Sequence, residues 1–330
     1  MGLRGIHIKT CVVLALSLFM TGNAAASDFD DMVAAERAFA ADASARSTRE
    51  AFLAALANDG LVFQPGPTSG QRTWTDRAPD KNHLEWAPAM AEIAKSGDLG
   101  YTVGPWRFTE AGAEDEADQN AEGKAGEKTA DKAADKAADK AGDQTGAKAG
   151  DQPGEKTQEK TPTAFGWYFS IWRKQPDGSW RVLLDHGISA PAAAFPDEVQ
   201  RRGGVSLGPP PSWPVGVPEL RSADLAAPGK LTSRMVSADF LRLRAGQAPD
   251  GIADGQALAS TATRLDTGLV VSSGGDLGVT WGGGVGSPAW IRVWRRPAAE
   301  DAPGQGWQLA VDFAVPAVPV AAAATDGTQP

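Results

Sequence analysis

From residue 27 onward, apolar residues recur first at helical spacing and then at strand spacing. Phe29, Met32, Val33 and Phe39 share one face of a helix that Ser27 or Asp28 can cap. Ser47-Thr48-Arg49-Glu50 is a capping-box pattern. It predicts a second helix with Phe52, Leu53 and Leu56 on one face, ended by Asn58-Asp59-Gly60. Leu61 to Gln64 reads as a short strand stopped by Pro65-Gly66-Pro67, and a short helix fits around Trp74. Strands are predicted at about Leu84 to Ile93, Leu99 to Phe108, Phe165 to Arg173 and Trp180 to Ile188. The last two form a hairpin around Pro176-Asp177-Gly178.

The pattern then repeats. Gly97-Asp98-Leu99-Gly100 returns as Gly275-Asp276-Leu277-Gly278, an offset of 178. Ile171-Trp172-Arg173 returns as Val293-Trp294-Arg295, an offset of 122, and Trp180 with Asp185 returns as Trp307 with Asp312, an offset of 127. Leu61 to Gly66 weakly matches Leu241 to Gly246, an offset of 180. Four motifs in one order indicate two diverged copies of one unit. The drop from 178 to 122 places 56 extra residues inside the first copy. The rise to 127 gives the second copy a longer hairpin at Arg296 to Gly306, and its start, about Pro218 to Ser237, is shorter.

Composition explains the extra residues. Residues 111–160 hold no aliphatic residue larger than alanine, no aromatic residue and no Cys, and carry eight Lys against thirteen acids. Lys and Asp recur there with period four, which stacks like charges in any helix, and nothing offsets the entropy of ordering. This is a disordered insert, read as a tolerated loop expansion rather than an interaction tail or spacer. The expected organisation is a signal peptide at 1–26, a first module at 27–190 with its insert at about 110–162, and a Pro/Gly-rich linker at 191–218. A second, degenerate module follows at 219–316, with a disordered tail at 317–330.

The signal peptide rests on Arg4, His7 and Lys9, then the short apolar run Cys11 to Met20, then Ala24-Ala25-Ala26 before Ser27. The run is too short to span a bilayer, so no stable membrane anchor is expected after cleavage, and the protein should be periplasmic or secreted. Cleavage removes Cys11, the single cysteine, and takes the net charge from −9 to −11. So acidic a chain is a poor nucleic-acid partner. Neither metal nor cofactor is expected: two histidines remain, and no phosphate or dinucleotide motif occurs. Gly282-Gly283-Gly284 reads as a turn.

The helical start, the Leu61-Val62-Phe63-Gln64-Pro65-Gly66 strand, Ser96-Gly97-Asp98-Leu99-Gly100-Tyr101-Thr102 and the hairpin Ile171-Trp172-Arg173 to Gly178-Ser179-Trp180 together resemble the nuclear transport factor 2-like superfamily. That group is also called SnoaL-like or ketosteroid-isomerase-like, and the likeness is to its domain-of-unknown-function members. The resemblance implies an α+β chain of two tandem cone-shaped modules, each with helices packed on a curved, mostly antiparallel sheet around a pocket. It also implies an intramolecular pseudo-dimer. Members of the group include isomerases, dehydratases and non-catalytic binding domains.

Within that frame the candidate acid/base residues are His83, Glu85, Asp185 and His186. His83 and Glu85 share a strand face and can act as base and orienter, although an exposed strand edge is the commoner meaning of such a pair. Strand alternation groups Trp180, Val182, Leu184, His186 and Ile188 on one face and Asp185 with Leu183 on the other, unless a bulge intervenes. A register pairing Arg173 with Trp180 would set Tyr168 opposite Asp185. Asp185 recurs as Asp312, which favours a structural role for it. Candidate ligand-lining aromatics are Trp74, Trp86, Tyr101, Trp106, Trp167 and Tyr168. Tyr101, Trp106 and Trp167 become Val279, Gly284 and Ala289 in the second copy, so a working pocket belongs to the first. The expected function is non-catalytic binding of a small, partly apolar ligand or a partner protein; the alternative is an isomerase- or lyase-type enzyme, and the residues leave the two open.

Overall fold

The computed structural model describes residues 27–64, 66–111, 162–203, 216–226, 235–251, 268–284, 287–296 and 306–315. The signal segment, nearly all of the insert, part of the linker, the middle of the longer hairpin and all of the tail lie outside the described residues. Three helices open the first module: α1 (Asp28–Ala45), α2 (Thr48–Ala55) and α3 (Gly70–Asp76). Its strands are β1 (Leu56–Phe63), β2 (Pro67–Ser69), β3 (His83–Trp86), β4 (Met90–Ile93), β5 (Leu99–Thr109), β6 (Ala164–Lys174), β7 (Trp180–Ser189) and β8 (Gln200–Arg201). Among the described residues, the second module has one helix, α4 (Val217–Ala226), and strands β9 (Val236–Arg244), β10 (Gly268–Val271), β11 (Leu277–Gly284), β12 (Ser287–Arg295) and β13 (Gln308–Val315).

The Ser27 hydroxyl accepts from the Asp30 amide while the Asp30 carboxylate accepts from the Ser27 amide, which closes a capping box on α1. Asp28, Asp30 and Asp31 put negative charge in the first turn, where the helix dipole favours it. Ser47 caps α2 by accepting from the Glu50 amide. That helix ends earlier than its apolar spacing suggests. Leu56 already pairs with Val182 in a parallel ladder, so Asn58-Asp59-Gly60 is strand, with the surplus residues bulged before Leu61 meets Leu184. The single strand expected over residues 84–93 is two, β3 and β4, separated by a segment that contains Pro88; a proline has no amide for a ladder. Gly282 and Gly284 belong to β11 rather than to a turn, and Gly283 sits at their register shift with φ +100°.

Both modules share one strand order. The first sheet contains β4-β5-β6-β7-β1, and the second is β10-β11-β12-β13-β9. In both, neighbours are antiparallel except for the last pair, which is parallel. Ser170 lies opposite Asp185, as Arg292 lies opposite Asp312, and Val62 faces Asp185 as Arg242 faces Asp312. The chain is thus an α+β protein of two modules with one topology.

Each sheet has a helix-covered face and a second apolar face, and the two second faces meet. One buried cluster contains Leu99, Val103, Phe169, Ile171 and Leu184 from the first sheet and Leu243, Leu277, Ile291, Val293 and Phe313 from the second. Polar contacts at its edge are reciprocal. The Lys95 amide donates to Asp276 and the Ser273 amide donates to Asp98, both at 2.8 Å. By the 178 offset these are counterpart residues, so the exchange has the i-to-j and j-to-i form of an isologous contact. His186 meets its own counterpart, Phe313, at 5.5 Å between ring centroids. Arg295 adds a charge contact across the join, pairing with Glu92 at 2.6 Å and with Asp239 of its own module at 2.8 Å.

Phe313→Ala should therefore weaken both modules at once. It removes a fully buried ring, a change worth about 3–5 kcal/mol in a packed core. Urea unfolding followed by tryptophan fluorescence and circular dichroism should show one shared midpoint moving down. Unchanged stability of the first module would contradict the shared layer.

Candidate functional site

The site begins with a bulge in β7. Trp172 pairs with Val182, but Ile171 pairs with Leu184, so one extra residue is absorbed at Leu183. The phase of the strand changes there. Trp180 and Val182 pack on the helix side, while Leu183, Leu184 and Ile188 all join the layer between the sheets. Past the bulge, Asp185 and Gly187 return to the helix side and His186 points to the second module. The expected face with Val182, Leu184 and His186 together is thus split. The hairpin register also differs from expectation: Arg173 pairs with Arg181, Tyr168 with Gly187, and Ser170 with Asp185.

On the helix side lies a cavity of about 330 Å³, within the usual range for small-molecule sites. Its walls are aromatic. Phe39, Phe52, Trp74, Trp86, Trp106, Phe108 and Tyr168 line it, with Leu84, Ala164 and Gly187. Trp74 stacks on Phe52 at 4.1 Å, and Trp86 meets Phe39 edge-on at 4.8 Å. Ser47, Thr48, Arg49, Arg77, Asp80 and Asn82 complete the lining, and of these Arg77 and Asp80 are exposed. Arg49 donates to the carbonyls of Thr75 and Arg77, tying the end of α3 to α2, and Arg77 lies over the Trp74 ring at 4.9 Å.

Asp185 is the carboxyl group in the aromatic part of this lining. It accepts from the Ser170 hydroxyl at 2.7 Å, and among the described residues no cation pairs with it. Burial pushes its pKa up to about 7; the Ser170 hydrogen bond opposes that shift and the negative charge of Glu36 adds to it. The same two carboxyl groups act on Tyr168, whose pKa is raised well above its usual value, first by burial.

Glu36 is fully buried on the apolar stripe of α1. It accepts from Trp86 Nε1 at 2.6 Å, from Thr102 Oγ1 and from Trp172 Nε1 at 2.9 Å. Burial raises its pKa, and these three donors pull the other way. The second module repeats the arrangement. Thr280, counterpart of Thr102, donates to Asp224 of α4 at 3.0 Å, and Trp294, counterpart of Trp172, donates to Thr280 at 2.9 Å.

What differs is the residue at the Ser170 position. In the second module it is Arg292, completely buried, with Nη1 at 3.0 Å from Asp224 and Nε at 3.1 Å from Asp312. Its guanidinium lies over Trp290, the counterpart of Tyr168, at 4.6 Å. Arg244 also pairs with Asp312. The helix side of the second sheet is therefore occupied at this level by the chain's own arginine.

The sequence-based candidates separate on this geometry. Asp185, Trp74, Trp86, Trp106 and Tyr168 line the cavity. Tyr101 and Trp167 do not: Tyr101 meets Phe169 at a tilt in the layer between the sheets, and Trp167 packs on the same layer. Alternation sends Thr102 and Tyr168 one way and their neighbours Tyr101 and Trp167 the other. His83 lies half exposed on β3, 3.6 Å from Glu85. Glu85 is held by Arg107 Nε at 2.6 Å and Nη2 at 3.1 Å, and that hydrogen-bonded ion pair keeps its pKa below the ordinary carboxylate value. A carboxylate so held is a poor base at neutral pH. His186 sits between Phe63 and Phe313, where burial lowers its pKa to about 4. Glu36, Ser170, Asp224 and Arg292 were missed. An acid on the apolar stripe of α1 was the signal for Glu36, and the 122 offset pairs Ser170 with Arg292.

The sequence matches no family model, and no curated protein matches it. Solved structures similar to the chain include a nuclear transport factor 2-like superfamily protein from Salmonella enterica (12% identity, 55% of this chain and 96% of that one, TM-score 0.30). A ketosteroid isomerase-like protein from Erwinia carotovora (15%, 49% and 95%, 0.27) and an NTF2-like protein with a cystatin-like fold from Novosphingobium aromaticivorans (11%, 48% and 80%, 0.29) are similar too. Each covers about half of this chain.

Two outcomes follow. Asp185 has a folded-state pKa above its ordinary 3.8, so folding takes up a proton between the two values. Its contribution to stability is full below about pH 3.8, falls as pH rises towards 7, and is flat beyond. Asp185→Asn should remove that part of the slope in pH-dependent urea titrations. Glu36→Ala removes the acceptor of the buried Trp86 Nε1 and Thr102 Oγ1, while Trp172 Nε1 keeps Thr102 Oγ1 at 3.1 Å, and should cost at least about 2–3 kcal/mol by the same measurement.

Proposed function

We propose that this is an exported binding protein whose first module takes up a small, largely aromatic or apolar molecule with a polar end directed at Asp185. The second module is its packing partner within the chain, an intramolecular pseudo-dimer. The observation that carries the reading is the aromatic cavity with Asp185 in its lining. A well-formed apolar pocket with a few convergent polar groups is the ordinary form of a small-molecule site. Export draws support from the apolar run ahead of Ala24-Ala25-Ala26, and cleavage before Ser27 would leave the capping box of α1 intact.

One observation favours the alternative, an isomerase or lyase. A carboxyl group with a pKa of about 7 in an apolar cavity is suited to accept a proton. Of the four acid/base candidates, however, Asp185 alone lines the cavity, while Glu85 is held by Arg107 and His186 faces the second module. Binding is therefore the better-supported reading.

Ala164 lines the cavity and has no polar role there, so Ala164→Trp should fill the site. In a thermal-shift screen of small aromatic and alicyclic compounds, those that raise the melting temperature of the wild type should lose at least about tenfold in affinity for this variant. Equal affinity for both proteins would place binding elsewhere. Expression of the full chain in a bacterial host, with N-terminal mass analysis, should give a secreted product starting at Ser27; an unprocessed cytoplasmic product would remove the export reading.

A further inference from the structure

The two modules offer the same site in two states. In the second, a guanidinium lies between two carboxylates, Asp224 and Asp312, and over an indole, Trp290. In the first, the counterparts of all three are present: Glu36 takes the place of Asp224 under the threonine, Asp185 that of Asp312, and Tyr168 that of Trp290. The cation is missing, because Ser170 stands where Arg292 stands. Beside Asp185 there is instead an open cavity.

We propose that the first module's cavity binds a cationic ligand, an amine or guanidinium on an aromatic or alicyclic body, whose charge takes the place beside Asp185 that Arg292 takes beside Asp312. This rests on the binding reading above and narrows it to a ligand class. Aromatic walls suit such a ligand twice over, since their faces attract a cation and their bulk takes up the apolar body. A cation also answers the unfavourable burial of Asp185, whose one hydrogen-bond partner among the described residues is the Ser170 hydroxyl.

The other charges around the cavity do not oppose this arrangement at its inner end. Arg49 donates through Nε and Nη2 to the Arg77 and Thr75 carbonyls, and Arg77 pairs with Asp80 at the exposed edge. Glu36, on the α1 side, adds an acid group rather than a base. Tyr168 offers the ring from β6.

Calorimetric titration of the full mature chain tests the idea with matched pairs: arylalkyl amines and guanidines, each against its neutral alcohol or amide isostere. The cationic member should bind at least about tenfold more tightly, and that preference should fall to near unity in Asp185→Asn. Ser170→Arg should supply the cation internally and abolish binding of the amines. If Ser170→Arg fails to fold, the Asp185→Asn comparison still decides. Neutral isosteres binding as well as the cations, or a cation preference that survives Asp185→Asn, would overturn the cation assignment while leaving the binding reading in place. No binding by either member of any pair would overturn both.

Discussion

Burial on both faces is the constraint that organises this molecule. The central strands of each sheet are covered by helices on one side and by the other sheet on the other. A strand in that position has no solvent face on which to leave a polar side chain, so a polar group without a partner there is costly. The layer between the sheets is largely apolar and takes polar contacts through Asp98, Asp276 and the Arg295–Glu92 pair. The helix side receives Glu36, Asp185, Asp224 and Asp312, and each module binds its helix to its sheet through an acid, a threonine and a tryptophan. That arrangement is held in common; what the modules do with the remaining space is not. The second fills it with Arg292, and the first leaves a cavity.

The exchange of Ser170 for Arg292 is a trade between stability and access. A buried arginine pairs with both carboxylates, but it occupies the room a ligand would need. A serine leaves the carboxyl group of Asp185 with a single neutral hydrogen bond and a raised pKa, and leaves the aromatic walls free. Strain of this kind is carried by one module while the other supplies a packed, closed partner across ten or more buried side chains.

Much of the fold was legible because its signals are local or repeated. Ser27 and Ser47 mark helix starts by capping chemistry, Pro176-Asp177-Gly178 marks the hairpin, and the offsets 178, 122, 127 and 180 reproduce the strand correspondences of the two sheets. What escaped is what depends on partners distant in sequence. Asn58-Asp59-Gly60 looks like a helix stop but is drawn into β1 by pairing with β7. The bulge at Leu183 has no signature of its own, so the faces of Asp185 and His186 relative to Val182 could not be set from alternation. Tyr101 and Trp167 have the composition of pocket residues but the parity of the opposite face. Asp185 was found as a candidate, while its meaning came from the residue opposite it.

The central claim is that equivalent positions are open in one module and closed in the other. A crystal structure of the mature chain under xenon pressure reports this directly, since xenon occupies apolar cavities of sufficient size. The account predicts xenon density among Phe52, Trp74, Trp86 and Tyr168, and none between Trp290 and α4, where Arg292 lies. Density in the second module, or a collapsed first cavity without it, would contradict the account.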